Sequence, residues 1–116
     1  MHEIGVVRAV VSTVTDFAEK NDIDRIESIV LQIGELSLIV PGYVTEIYPM
    51  VVRETLLEDT KLEIEIVPGM AECNDCDEIY NLIEYEGVCP ECGSRSKTVL
   101  SGREFIIKEL RVPEQE

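Results

Sequence analysis

Four cysteines, and no others, stand in two tight pairs: Cys73 and Cys76 in C-N-D-C, then Cys89 and Cys92 in C-P-E-C-G, with twelve residues between the pairs. Two C-x-x-C pairs on a short connector can bring four thiolates to one ion. Each pair must then fold back tightly. Gly93, after the second pair, suits a turn with positive φ. Asp77 holds the matching place after the first pair, where Asp is tolerated at modest cost, and Pro90 stiffens the second turn. Four sulfur ligands leave no open position, so the chemistry expected here is structural zinc binding. A disulfide pairing and a rubredoxin-like iron site would use the same residues. The disulfide needs an oxidising compartment, to which nothing else in the chain points. A ribbon of about 25 residues has too little apolar mass to fold alone, so bound metal would supply its core.

A second set of ligand atoms gathers at the start of the chain, M-H-E, which holds the sole histidine, His2. A histidine at a chain end is ordinarily a solvated side chain. Here, however, the Met1 α-amine titrates at about 7.7–8.0, within reach of neutral pH. That amine, the His2 backbone nitrogen and the His2 imidazole can close adjacent chelate rings around one ion. Glu3 can complete a fourth position through its backbone nitrogen or carboxylate. Nitrogen ligation in a plane suits Ni(II) or Cu(II). No nucleophile–base set accompanies these groups, so the chain does not read as an enzyme. Glu35, in G-E-L-S, is the one carboxylate in a turn that stands out; its ordinary reading is a solvated loop residue.

Charge narrows the partners. The 116 residues carry 24 acidic and 10 basic side chains, a formal net charge of −14. That sign opposes nucleic acid, whose phosphates need clustered Lys and Arg, and opposes anionic membranes. The ribbon is more acidic still, with Glu72, Asp75, Asp77, Glu78, Glu84, Glu86 and Glu91 and no Lys or Arg from Glu72 to Ser94. A basic protein partner or a cationic cargo fits. No stretch reaches transmembrane length. The apolar run Ile4–Val11 is broken by Arg8 and lacks a basic leader, so no signal peptide is expected. With all Cys in one site, a reducing cytoplasm is the expected location.

The elements that must position these groups follow from periodicity. Ile4, Val7, Val11, Val14 and Ala18 form a helical stripe over Ile4–Lys20, and its length outweighs the β-branched content. Arg25–Leu36 reads as a strand, with Ile29, Leu31 and Ile33 on one face and Gly34 ending it or forming a bulge. A second helix starts at Pro41, with Tyr43, Val44, Ile47, Met50 and Val51 on its apolar side and a kink or break expected at Pro49. Lys61–Val67 alternates as a strand, and Pro68-Gly69 turns into the ribbon. Within the ribbon, Ile79–Tyr85 and Lys97–Leu100 read as short strands. Glu104–Val112 is a last strand that returns to the main sheet, and the residues beyond are expected to fray.

M-H-E at the start, L-Q-I-G-E-L-S at Leu31–Ser37, L-E-I-E-I-V-P-G at Leu62–Gly69 and the two cysteine knuckles together resemble the HypA/HybF family, from Met1 to about Leu110. The resemblance implies an α+β fold: a small mixed sheet of about three strands with two helices packed on it, plus an inserted zinc-ribbon lobe. It implies a nickel-binding α/β domain at 1–68 with 103–112, a zinc-ribbon domain at 69–102, and a frayed tail at 113–116. It also implies a nickel-binding metallochaperone, not an enzyme, that delivers nickel during maturation of [NiFe]-hydrogenase. His2 would be the essential nickel ligand, with Glu3 and Met1 beside it, and Cys73, Cys76, Cys89 and Cys92 would hold structural Zn(2+). The implied partners are the nickel-handling GTPase HypB and the hydrogenase large-subunit precursor, with no nucleic acid or membrane, and the expected assembly is a monomer or weak dimer. The alternative is a zinc-ribbon protein-interaction module without a nickel role. The chain departs from the family pattern at Ile4-Gly5-Val6-Val7, at Glu54 before Thr55, and at Pro49, none of which is a proposed ligand.

Overall fold

The structure, a computed structural model, describes residues 3–113. The first helix, α1 (Glu3–Lys20), buries Val6, Val7, Val10, Val11, Val14 and Ala18 along one stripe. Packing of that stripe overrides the low helix propensity of its valines. Glu3 in the first turn and Lys20 in the last complement the helix dipole. The helix stops in a Schellman arrangement, in which the Ile23 N–H reaches the Ala18 carbonyl at 2.8 Å and Asp22 takes a φ of 54°.

Next come β1 (Ser28–Gly34), α2 (Pro41–Val51) and β2 (Lys61–Val67), and the chain closes with β6 (Phe105–Arg111). The sheet order is β2-β1-β6. Glu27 bonds both Lys61 and Arg111, while Glu35 bonds Val67 and Gly34 bonds Glu104. Thus β1 runs parallel to β2 and antiparallel to β6, which makes the sheet mixed. A parallel pair requires a crossover, and α2 supplies it. The central strand is apolar on both faces, with Ile29, Val30, Leu31 and Ile33 essentially inaccessible. The edge strands alternate, with Glu63 and Glu65 on β2 exposed. Lys108 pairs with Glu65 at 3.0 Å and Arg111 with Glu63 at 2.6 Å. Because β1 lies between these strands, both pairs reach over it. Being half exposed, each contributes at most about 1 kcal/mol.

The chain divides into two compact units. The first comprises the residues up to Leu31, Ile39–Glu65, and Ile106 onward; the second comprises Gln32–Leu38 and Ile66–Phe105. In the first, Tyr48 Oη donates to the Thr60 carbonyl at 2.9 Å, and Thr60 Oγ1 donates to the Ile26 carbonyl at 2.7 Å. Burial pushes the Tyr48 phenol up to about 12, so it stays a donor. Helix α2 runs through Pro49 and ends two residues later, closed by the Val52 N–H on the Tyr48 carbonyl at 3.2 Å. The break expected at Pro49 is therefore displaced to the helix end.

The second unit holds a three-stranded sheet, order β4-β3-β5, from β3 (Met70–Cys73), β4 (Ile79–Asn81) and β5 (Lys97–Val99). Both pairings are antiparallel, with Ala71 opposite Tyr80 on one side and Val99 on the other. Its central strand, β3, went unread in the sequence because M-A-E-C is short and ends in a ligand. The expected strand Ile79–Tyr85 stops at Asn81, whose Oδ1 accepts the N–H groups of Ile83 and Glu84 and turns the chain. Three glycines of this unit come together. A Cβ on Gly34 would lie 1.9 Å from the Gly102 carbonyl oxygen, and one on Gly102 would lie 2.5 Å from the Gly69 Cα.

Candidate metal centre

The two cysteine knuckles are built alike. In the first, the Asp77 N–H reaches the Cys73 carbonyl at 3.0 Å and the Cys73 N–H reaches the Glu78 carbonyl at 2.8 Å. In the second, the Gly93 N–H reaches the Cys89 carbonyl and the Cys89 N–H reaches the Ser94 carbonyl, both at 2.9 Å. Residues 73–78 and 89–94 thus repeat one turn. The last residue of each turn before its closing bond lies in the left-handed region, with φ 66° at Asp77 and 77° at Gly93. That is the conformation expected of both positions from sequence.

The turns converge their sulfurs. All four Sγ atoms lie within 4.8 Å of one another; Cys73 to Cys92 and Cys76 to Cys89 are each 3.5 Å. A tetrahedral ion with bonds of about 2.3 Å to sulfur places its ligands about 3.8 Å apart, so the cluster has the size that zinc requires. Cys73 and Cys89 are buried with Ala71 and Tyr80, whereas Cys76 and Cys92 face outward. Tyr80 packs edge-on to Tyr85, with ring centroids 6.4 Å apart, and closes the apolar side.

The electrostatics of the cluster call for a cation. Burial pushes the Cys73 thiol up, but the N–H groups of Asp75 and Cys76 and the neighbouring thiols outweigh it, giving about 7. At Cys76 the Glu78 N–H pulls down, yet desolvation and the sulfurs of Cys89, Cys92 and Cys73 push the thiol up to about 12. Cys92 is also raised, despite the Ser94 N–H, by Cys73 and by burial. One thiolate forms readily and then opposes the others. A divalent ion removes that conflict, because thiolates bind it directly.

Polar braces hold the first knuckle to the segment after the second. Ser94 Oγ donates to Asp75 Oδ2, Asn74 Nδ2 donates to Ser96 Oγ at 3.0 Å, and Thr98 Oγ1 donates to Asn74 Oδ1 at 2.8 Å. Sequence reading passed over these residues. Their signal was the alternation of hydroxyls at Ser94, Ser96 and Thr98, which places them on one side of an extended chain. Glu35 was read as a solvated loop residue. It is exposed in a turn, and its Oε1 also accepts the Gly69 N–H at 2.8 Å and Asn81 Nδ2 at 3.2 Å; these bonds, Gly69 first, lower its pKa.

Of the terminal ligand candidates, Met1 and His2 lie outside the described residues. Glu3 opens α1, and its Oε2 accepts the Val40 N–H at 3.3 Å. Val40 is the N-cap of α2 and makes no side-chain cap of its own, so Glu3 satisfies that helix start.

Residues 1–112 match the family described as "Hydrogenase/urease nickel incorporation, metallochaperone, hypA". A hydrogenase maturation factor HypA from Geobacter metallireducens is 37% identical over 112 residues, covering 97% of this chain and 99% of the relative. One of the same name from Nostoc sp. is 37% identical over 114 residues, covering 98% and 97%. The solution structure of the Ni metallochaperone HypA from Helicobacter pylori superposes with a TM-score of 0.67 at 28% identity, covering 99% of this chain and all of that one.

Proposed function

The chain belongs to the HypA family of nickel-incorporation metallochaperones, and from that premise we propose that it delivers nickel during maturation of [NiFe]-hydrogenase. The observation that carries the reading is the family match beginning at residue 1, so that it includes M-H-E. Nickel is cargo. His2 binds it through its imidazole and backbone nitrogen, Met1 contributes its amine, and Glu3 stands beside the ion. We assign residues 1–68 and 103–112 to the nickel-binding domain and 69–102 to the zinc ribbon.

Cys73, Cys76, Cys89 and Cys92 hold Zn(2+), supported by the fit of their sulfur spacing to a tetrahedral ion. The ion fixes the ribbon's fold and takes no part in nickel transfer. The site's nitrogens bind only when deprotonated, so nickel affinity falls on acidification. The chain hands nickel on in the cytoplasm without catalysing a reaction, and its partners are the GTPase HypB and the hydrogenase large-subunit precursor. No helix among the described residues is long and apolar enough to cross a membrane.

The test is a nickel titration of the untagged chain against its His2→Ala variant, with zinc measured in both. One zinc in each and nickel bound only by the parent chain is the expected result. Equal nickel binding by both overturns the assignment and returns the chain to a zinc-ribbon interaction module. An added leader peptide, which blocks the Met1 amine, should abolish nickel binding in the same way.

A further inference from the structure

Helix α2 is apolar on two sides. Val44 and Tyr48 are buried, so they form its inward face. Val40, Tyr43, Ile47 and Met50 recur at i, i+3, i+7 and i+10 and make a second stripe. Val40 is 46% exposed, Tyr43 55% and Met50 57%, with Ile47 half-buried among them. Glu46 is the sole charged residue from Pro41 to Val51, in a chain where 29% of residues are charged. A surface helix ordinarily turns its charges outward, and one that is apolar all round is ordinarily covered. The outward spacing is that of a helix received by an apolar surface on another protein.

We propose that the stripe Val40–Tyr43–Ile47–Met50 is a docking surface for a partner protein with an apolar centre and a lysine- and arginine-rich edge. Charge selects this occupant. A second copy would bring another net charge of −14, so association through a stripe with no basic residue works against like-charge repulsion. A basic edge meets that charge favourably and finds Glu46 beside Tyr43 and Met50, three residues from one and four from the other. Tyr43 supplies a rigid amphipathic anchor, and Met50 an adaptable one. The proposal stands on α2 alone and does not depend on the nickel reading.

The probe is a synthetic amphipathic helical peptide with leucine along one face and lysine at its edges, titrated into the full-length, zinc-loaded chain by fluorescence anisotropy. The expected result is saturable binding that weakens roughly tenfold or more in a Tyr43→Ser, Met50→Ser double variant. A twin peptide edged with glutamate should fail to bind. Both substituted side chains are more than half exposed, and circular dichroism of the variant checks that its fold is kept; Met50→Gln alone serves if it is not. Absence of binding, equal binding by the double variant, or equal binding of the glutamate-edged twin overturns the proposal. So does sedimentation showing that the parent chain dimerises through the stripe, which would assign the surface to a second copy.

Discussion

Glu35 shows how one side chain can stabilise a junction without doing chemistry. Its carboxylate accepts the Gly69 N–H and Asn81 Nδ2, holding the turn after β1 against the entry to the second sheet. Both bonds favour the ionised form, so its folded pKa lies below the unfolded value. The stabilisation is therefore fully present above the ordinary carboxylate range and is lost as pH falls through the lowered folded pKa. Carboxyl NMR should place the Glu35 midpoint below the usual value of about 4.3, and Asn81→Ala should move it upward. A midpoint at the ordinary value in the parent chain would contradict the hydrogen-bond account. None of this was legible in G-E-L-S, because the partners stand 34 and 46 residues away. The cysteines were legible for the opposite reason: their geometry is set by local turns of six residues, and spacing alone encodes such turns.

The elements were read well where packing and local pattern agree. β2 alternates from Lys61 to Glu65 and was delimited at both ends, Lys61 and Val67. α1 was read one residue short, since Glu3 belongs to its first turn. α2 is where pattern misled. Tyr43, Val44, Ile47, Met50 and Val51 read as one apolar side, but the structure buries Val44 and leaves Tyr43 and Met50 outside. Sequence gives the apolar residues of a helix, but not which of two apolar faces has a neighbour within the chain. Gly5 offers a test at this scale. It lies in α1 with open space where a Cβ would be. Gly5→Ala should therefore raise stability by about 1 kcal/mol, because helix propensity improves and nothing clashes. Urea unfolding of the two chains measures it, and an unchanged or lower midpoint would show that Gly5 has a packing role.

At the scale of the molecule, two units rest on different foundations. The first buries many apolar side chains, among them Val7, Val14, Ala18, Ile29, Val44 and Leu57. In the second, the knuckles rest on a small cluster of Ala71, Cys73, Tyr80 and Cys89, with Leu82 against them. So small a cluster cannot offset the chain entropy of its residues without the ion. Chelation with a strong zinc ligand should accordingly collapse the amide dispersion of residues 70–100 while the helical signal of α1 and α2 persists. Loss of both together would mean that the first unit also needs the metal. A strand such as β1 gives no sign in sequence of which of its residues belong to which unit, Leu31 to the first and Gln32 to the second.

The contact between Gly69 and Gly102, which bracket the ribbon, has a consequence for how such a protein can be rebuilt. A Cβ on Gly102 would sit 2.5 Å from the Gly69 Cα, so the way in and the way out are in backbone contact, and Met70 bonds Leu100 and Ser101 just inside. A segment whose ends already touch imposes almost no closure cost on its host. The stretch from Gly69 to Gly102 is thus a cassette: a tight hairpin turn could replace it, or a foreign hairpin-ended insert could be grafted there, without altering the spacing of the strands that flank it.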